Sequence, residues 1–309
     1  MPYRSVFAPA LFADKSFIVT GGGSGIGRCT AHELAALGAH VTLIGRKADK
    51  LERVAAEIAE DGGVADFDVL DIRDEGRVRE VVGGIVGRRG RVHGLVNNAG
   101  GQFPAPLALI NQKGFETVVR TNLVGGFLMA RELFTQHLND HGGSIVNIVA
   151  DMWRGMPGMG HSGAARAGMI NLTQTAAIEW APAGVRVNAV APGWVASAGL
   201  DTYSGPVRAM IPKLRDSVPM KRLATEAEVS ASICFLLSEA AAFITGETLR
   251  VDGGAPLASL HWPQPAQARS EVYQGFHRAV IPKILGGHGE DEGEDPSEGP
   301  SEGPSKGAK

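Results

Sequence analysis

The chain has 309 residues, 44% of them hydrophobic and 20% charged, with a formal net charge of −3. No basic run lies along one face, which argues against a nucleic-acid partner, and no window of about 18 apolar residues runs free of charge, which argues against a membrane-spanning helix. The two cysteines, Cys29 and Cys234, stand far apart and in no metal-ligand spacing, and the first fifteen residues carry no leader-like apolar run, so free thiols, no metal and a reducing, cytoplasmic setting are expected.

The predicted elements alternate along the chain. Ser16 to Thr20 is a short β-branched apolar run, read as a buried strand. A glycine cluster follows, then a helix over Arg28 to Leu37 stopped by Gly38. Val41 to Ile44 is the second strand, and Asp49 to Ala59 a helix with Leu51, Val54, Ala55 and Ile58 on one face. Val64 to Leu70, Gly94 to Val96, Ser144 to Val149, Val185 to Val190 and Thr248 to Val251 are the further strands. Glu75 to Val86, Asn111 to His137, Ser162 to Trp180 and Glu226 to Leu237 are the intervening helices. Strict strand–helix alternation predicts the α/β class: one Rossmann-type, doubly wound parallel sheet with helices on both faces. No internal boundary is visible between residues 15 and 255. A single domain is expected there, with an N-terminal extension at 1–14, a C-terminal extension at 256–285 and an acidic tail from 286. The tail repeats Ser-Glu-Gly-Pro and holds too little apolar surface to offset its ordering entropy, so it is expected to be disordered.

The loop between the first strand and first helix reads Thr20-Gly21-Gly22-Gly23-Ser24-Gly25-Ile26-Gly27. Here Gly21 permits the tight turn, Gly25 lets the backbone approach a pyrophosphate, and Gly27 allows close helix–strand packing; the helix N-terminus offers free N–H groups to the phosphates. A glycine-rich loop alone says little, but one placed between a strand and a helix predicts a dinucleotide site. The second strand ends in Gly45-Arg46-Lys47, without the acidic side chain that accepts from an NAD ribose. Arg46 and Lys47 suit a 2′-phosphate, so NADP(H) is the expected cofactor; the alternative is a pair of solvated surface cations.

Taken together, Thr-Gly-Gly-Gly-Ser-Gly-Ile-Gly, then Asp71-Ile72, Asn97-Asn98-Ala99-Gly100, Asn122 in Thr-Asn-Leu and Pro192-Gly193 resemble the short-chain dehydrogenase/reductase family across residues 15 to 255. The resemblance implies that Asp71 and Ile72 flank the adenine, that Asn98, Ala99 and Gly100 line the ribose side, and that Pro192, Gly193 and Val195 face the nicotinamide amide. It also implies a homotetramer. The family pattern then fails where proton transfer is usually performed. Aligning Ala164-Ala165-Arg166-Ala167-Gly168 with the family helix puts Arg166 at the usual lysine, Ser162 at the usual tyrosine and Ala150 at the usual serine; only Asn122 survives. Ser162 is too weak an acid to protonate an alkoxide, and an arginine stays protonated. Reduction of a carbon–carbon double bond conjugated to a thioester places its charge in an enolate, which fixed donors can hold. The runs 98–103 and 161–168 are also similar to the peroxisomal trans-2-enoyl-CoA reductases, and the 2,4-dienoyl-CoA reductases likewise lack the tyrosine. One departure is Ile170, where the trans-2-enoyl enzymes carry a tyrosine.

The candidate residues each keep an alternative. Arg166 could hold the ribose or the enolate, or be an exposed helix cation. His161 could donate to the thioester oxygen or sit on the surface, and Ser162 could act or merely cap its helix. Asp151 could orient a donor or belong to a turn. Tyr203, in the segment from Ala196 to Pro219 that closes over substrate in the family, could supply the missing proton. Trp153, Trp194 and Phe103 could line an acyl pocket or simply pack. Arg154, Lys213 and Arg215 could meet a diphosphate or solvent. The leading reading is an NADPH-dependent enoyl- or dienoyl-thioester reductase of fatty-acid metabolism acting on a small-molecule acyl thioester. Reduction of another activated alkene or a ketone, and a catalytically silent cofactor-binding subunit, are the competing ones.

Overall fold

A computed structural model describes residues 2–258, 262 and 264–287; the acidic tail beyond Gly287 lies outside the described residues. Seven parallel strands form one sheet: β1 (Ser16–Thr20), β2 (His40–Gly45), β3 (Val64–Val69), β4 (Gly94–Asn97), β5 (Gly143–Ile148), β6 (Val185–Pro192) and β7 (Thr248–Val251), in the spatial order β3-β2-β1-β4-β5-β6-β7. The helices are α1 (Gly25–Ala36), α2 (Ala48–Glu60), α3 (Glu75–Arg89), α4 (Gln112–Val119), α5 (Gly125–Leu133), α6 (Asn139–His141), α7 (Gly160–Trp180), α8 (Gly205–Met210) and α9 (Glu226–Leu237). The doubly wound parallel architecture expected from the alternation is the one observed.

Burial explains the pattern. All five residues of β1 are buried, because it lies in the middle of the sheet with helices above and below. One face of the sheet buries Leu34 of α1, Leu51, Val54 and Ile58 of α2, and Val229 and Ile233 of α9. The other buries Val78, Val82 and Ile85 of α3, Met129 and Leu133 of α5, and Ala176 and Ala177 of α7. Strand β3 is one of the two edges, and it is only partly buried; Arg88 and Arg89 of α3 pair with its Asp66 and Asp68. The order reverses between β1 and β4, and the C-terminal ends of these strands open the crevice in which α/β sheets bind ligands.

Most boundaries shift by one to three residues, and two of the shifted helix starts lie at the site. Helix α1 begins at Gly25 rather than Arg28, and α7 begins at Gly160 rather than Ser162. Helix periodicity is carried by side chains, and glycine has none to contribute, so helix starts built from glycine are invisible to it. The stretch from 112 to 141 is helical throughout, but it passes through a π-helical turn at Arg120–Val124 between α4 and α5.

The terminal extensions pack on the domain. Tyr3, Cys29, Ala227 and Phe276 form a small cluster, with Phe276 only 1% exposed. Beside it the buried Glu33 accepts hydroxyl hydrogens from Tyr3 (3.1 Å), Ser5 (2.7 Å) and Ser230 (2.5 Å). His277 and Arg278 pair with Asp61 at the end of α2. Further on, the backbone N–H groups of Lys283 and Ile284 donate to the Asp201 carboxylate at 2.8 and 3.0 Å.

Candidate active site

The glycine loop takes the form its residues allow. Gly21 (φ +66°) and Gly25 (φ +57°) are left-handed, which a side chain would disfavour. A Cβ on Gly27 would lie 2.3 Å from the Gly21 carbonyl oxygen, so α1 approaches β1 this closely only without one. Thr20 Oγ1 accepts from the N–H groups of Asn98 (2.9 Å) and Ala99 (3.0 Å), and Asn98 Nδ2 donates to the carbonyls of Thr20 (3.0 Å) and Gly21 (3.3 Å). The Asn98 side chain therefore ties the end of β4 to the glycine loop, and only its surface is left to border a ligand.

Two cavities adjoin over the sheet, and Gly100, Gly101 and Gln102 border both. The first, about 400 Å³, is lined by Gly21, Ser24, Arg46, Lys47, Asp71 and Ile72 among others. Its outer end is cationic: Arg46 and Lys47 are exposed at the end of β2. Asp71 accepts from the Arg73 guanidinium (2.5–3.1 Å), and this pairing holds its carboxyl below the usual range. The second cavity, about 490 Å³, is lined by Ile26, Asn98, Ala150, Asp151, Arg166, Pro192, Gly193, Val195 and Tyr203, with Met156, Met159, Trp194 and Leu200 as an apolar wall. Burial, then the neighbouring Asp252, pushes the Asp151 carboxyl up. Every cofactor-side residue expected from the sequence borders one of these cavities except Gly25 and Gly27, which shape the loop beneath them. A dinucleotide fits this pair: donors at the N-terminus of α1 between the cavities, cations at one end, and Pro192, Gly193 and Val195 at the other.

The proton-transfer candidates are distributed less evenly. Arg166 projects from α7 to the cavity wall and is partly buried, which overturns its reading as an exposed helix cation. Its Nη1 donates to the Ile148 carbonyl at 2.5 Å, its Nε has no hydrogen-bond partner among the described residues, and burial lowers its pKa to about 10. Asn122, in the π-helical turn, clamps Gly101 in both directions, accepting from its N–H (2.8 Å) and donating to its carbonyl (2.9 Å). A Cβ on Gly100 would lie 2.6 Å from Arg166 Nη2 and 3.0 Å from Asn122 Oδ1, so the three residues meet only because Gly100 has none.

His161 and Ser162 are fully buried, and neither borders the cavities. The surface reading of His161 is thus corrected: its Nδ1 accepts from the Ser162 N–H at 2.8 Å, and its ring meets Phe103 edge-on at 4.4 Å. The capping reading of Ser162 is also corrected, because Met159 is the N-cap and Ser162 sits inside the first turn. Ser162 Oγ instead donates to Gln102 Oε1 at 2.6 Å, and Gln102 Nε2 donates to the Tyr203 phenol oxygen at 3.2 Å. The other two tyrosines, Tyr3 and Tyr273, belong to the cluster formed by the terminal extensions. Of Trp153, Trp194 and Phe103, only Trp194 borders the second cavity; Phe103 borders the first, and Trp153 lies under Arg250 at 5.1 Å. Arg154 donates to the Ala258 carbonyl (2.6 Å), and Arg215 stands 3.9 Å from Asp216.

Sequence reasoning assigned no role to Gln102, although its place directly after the Asn-Asn-Ala-Gly turn was a usable signal. The methionines of the apolar wall follow no periodicity and had none. Among the described residues no cluster of His, Cys, Asp and Glu could hold a metal ion, and no helix is long and apolar enough to cross a membrane.

Known proteins resemble this chain over most of its length. The profile of the enoyl-(acyl carrier protein) reductase family matches residues 21–256. The peroxisomal 2,4-dienoyl-CoA reductase of Danio rerio is 34% identical over 261 residues, covering 83% of this chain and 86% of that protein. The probable 2,4-dienoyl-CoA reductase of Bacillus subtilis (strain 168) is 36% identical over 245 residues, covering 78% and 96%. Among solved structures, a citronellol catabolism dehydrogenase of Pseudomonas aeruginosa PAO1 shares 62% identity at a TM-score of 0.75, covering 82% of this chain and 99% of that one. The chain is therefore an oxidoreductase of the short-chain dehydrogenase/reductase family, similar to the branch that holds the 2,4-dienoyl-CoA reductases.

Proposed function

We propose that the protein uses NADPH to reduce a carbon–carbon double bond conjugated to a thioester, an enoyl- or dienoyl-CoA or its carrier-protein counterpart. One observation carries the reading: the position of the family tyrosine holds a serine that is buried and turned onto Gln102, while a guanidinium occupies the cavity wall beside it. Carbonyl reduction there would lack its acid; enolate formation would gain a cation.

When bound, a reduced nicotinamide supplies the hydride. The chain's own residues do the rest. The N–H groups at the start of α1 hold the pyrophosphate, Arg46 and Lys47 the 2′-phosphate, and Asp71 and Ile72 the adenine. Asn98, Ala99 and Gly100 border the ribose, and Pro192, Gly193 and Val195 the carboxamide. Arg166 faces the ribose and the developing enolate, Asn122 fixes the loop that aligns it, and Tyr203 offers the phenol nearest the substrate. Met156, Met159, Trp194 and Leu200 exclude water from the acyl chain. The similarity to a citronellol catabolism dehydrogenase favours a methyl-branched, terpenoid-like acyl chain over a linear one. A homotetramer working in a reducing, cytoplasmic setting completes the reading.

The test follows nicotinamide absorbance with linear and branched 2-enoyl-CoA, 2,4-dienoyl-CoA and 3-oxoacyl-CoA thioesters. Turnover of an enoyl or dienoyl thioester with NADPH preferred over NADH is expected. A preference for the 3-oxo thioester, or a tenfold preference for NADH, would overturn it.

A further inference from the structure

Three candidate residues from different parts of the chain converge on one dipeptide. Asn122 holds both backbone polar groups of Gly101, Ser162 donates to the Gln102 side chain, and Gln102 donates to Tyr203. Gln102 borders both cavities, whereas Ser162 lies behind it with no exposed surface. The polarity of this chain of bonds matters. A carbonyl oxygen cannot donate, so the 2.6 Å contact makes Ser162 Oγ the donor to Gln102 Oε1. Nε2 is then left as the donor to the phenol oxygen at 3.2 Å, which leaves the phenol hydrogen of Tyr203 unspent. The opposite amide orientation would have the phenol donate to Oε1 and use up that hydrogen.

We infer that Gln102 is a positioning residue for proton delivery: anchored by Ser162, it holds the Tyr203 phenol as an acceptor so that its hydrogen points to the substrate α-carbon. This rests on the enoyl-thioester reading above. Hydride from NADPH adds to the β-carbon, and the electron pair of the double bond moves through the α-carbon onto the thioester oxygen, giving the enolate that Arg166 faces. The enolate then collapses; its α-carbon takes the proton of Tyr203, and the phenolate regains a proton from water, since Tyr203 is only partly buried. Ser162 thus keeps a part in proton transfer from the family tyrosine's position, at one remove and without titrating.

The inference has a structural and a chemical readout. The chain has three tyrosines, so carbon-13 labelling of the phenol carbon gives three resonances, with Tyr3 and Tyr273 as internal controls. Gln102→Glu and Gln102→Leu are expected to move the Tyr203 resonance and leave the other two in place. An unmoved Tyr203 resonance refutes the contact, whatever substrate the enzyme uses. For the chemistry, wild-type reduction in heavy water is expected to place deuterium on one face of the α-carbon. Gln102→Glu, whose carboxylate would accept the phenol hydrogen, is expected to lower kcat at least about tenfold, to raise KM little, and to mix the faces. Its effect should vanish in a Tyr203→Phe background. Retained facial selectivity, or additive losses in the double variant, overturns the relay. Failure of wild type to reduce any enoyl thioester overturns the preceding reading, while the resonance measurement still decides the contact.

Discussion

Replacing Arg166 with methionine separates a structural from a chemical role, because the two roles predict opposite effects on stability. The guanidinium is a cation held in a partly buried wall with one hydrogen bond, to the Ile148 carbonyl at 2.5 Å, and with its Nε unpartnered among the described residues. Burial lowers its pKa to about 10, the signature of a charge held at a cost. Methionine keeps the length and removes the charge. The loss of one charge-assisted hydrogen bond costs about 1.5–3 kcal/mol, and relief of an undercompensated buried charge returns about 1–4 kcal/mol. The sum lies near zero, so the midpoint of thermal unfolding is expected to stay within a few degrees of wild type or to rise. Turnover is expected to behave differently: losing a fixed donor that faces developing negative charge costs about 2.7–4 kcal/mol, roughly 10²–10³ in kcat. Calorimetry and steady-state kinetics on the same preparation read both quantities. A variant destabilised by more than about 3 kcal/mol with kcat intact would show Arg166 to be a structural residue and would refute the reasoning.

Three further outcomes follow from the geometry. Gly100→Ala leaves every candidate side chain in the sequence, but its Cβ would lie 2.6 Å from Arg166 Nη2 and 3.0 Å from Asn122 Oδ1; it is expected to cost about 1–3 kcal/mol by denaturant titration and about 10² in kcat. Arg46→Ala is expected to raise the KM for NADPH about tenfold or more and leave that for NADH nearly unchanged, and equal effects on both would remove Arg46 from 2′-phosphate recognition. Glu57 is a linkage test: burial alone would raise its pKa, but hydrogen bonds from His32 and Arg28 outweigh this and hold it at about 2. Because the folded value is depressed, the stabilisation is fully present above the ordinary 4.5 and is lost as pH falls through about 2. Glu57→Gln should therefore lose on the order of 2 kcal/mol at neutral pH and show a flatter acid limb in urea titrations between pH 5 and 2; an unchanged pH dependence would contradict the assigned pairing.

Much of the fold was legible because its signals are local. β1 and β7 are bounded as the sequence predicts, since both are short runs closed by a glycine turn within two residues of their C-terminal end. The crevice was legible as well, because Gly21, Gly25 and Gly27 each meet a requirement that no other residue satisfies. What escaped depends on contacts distant in sequence. Ser162 reads as an N-cap until Gln102, sixty positions earlier, is seen to receive its hydroxyl. His161 reads as a surface histidine until Phe103 closes over it. The anchoring of Asp201 by the backbone at Lys283 and Ile284 leaves no trace in either segment, because backbone donors carry no sequence identity. The terminal extensions escaped for a similar reason: Phe276 is a single buried ring whose partners lie at both ends of the chain.

The central claim concerns where the hydride lands and what the charge becomes. Reduction with NADPH deuterated at the transferred position, followed by locating the label in the product, answers it directly. The account predicts a 2-enoyl thioester converted to the saturated product with the label on the β-carbon, and a 3-oxo thioester of the same acyl chain turned over about a hundredfold more slowly, because the position that would protonate its alkoxide holds Ser162 rather than a phenol. A label found on a carbinol carbon, formed from the 3-oxo thioester at the faster rate, would contradict it.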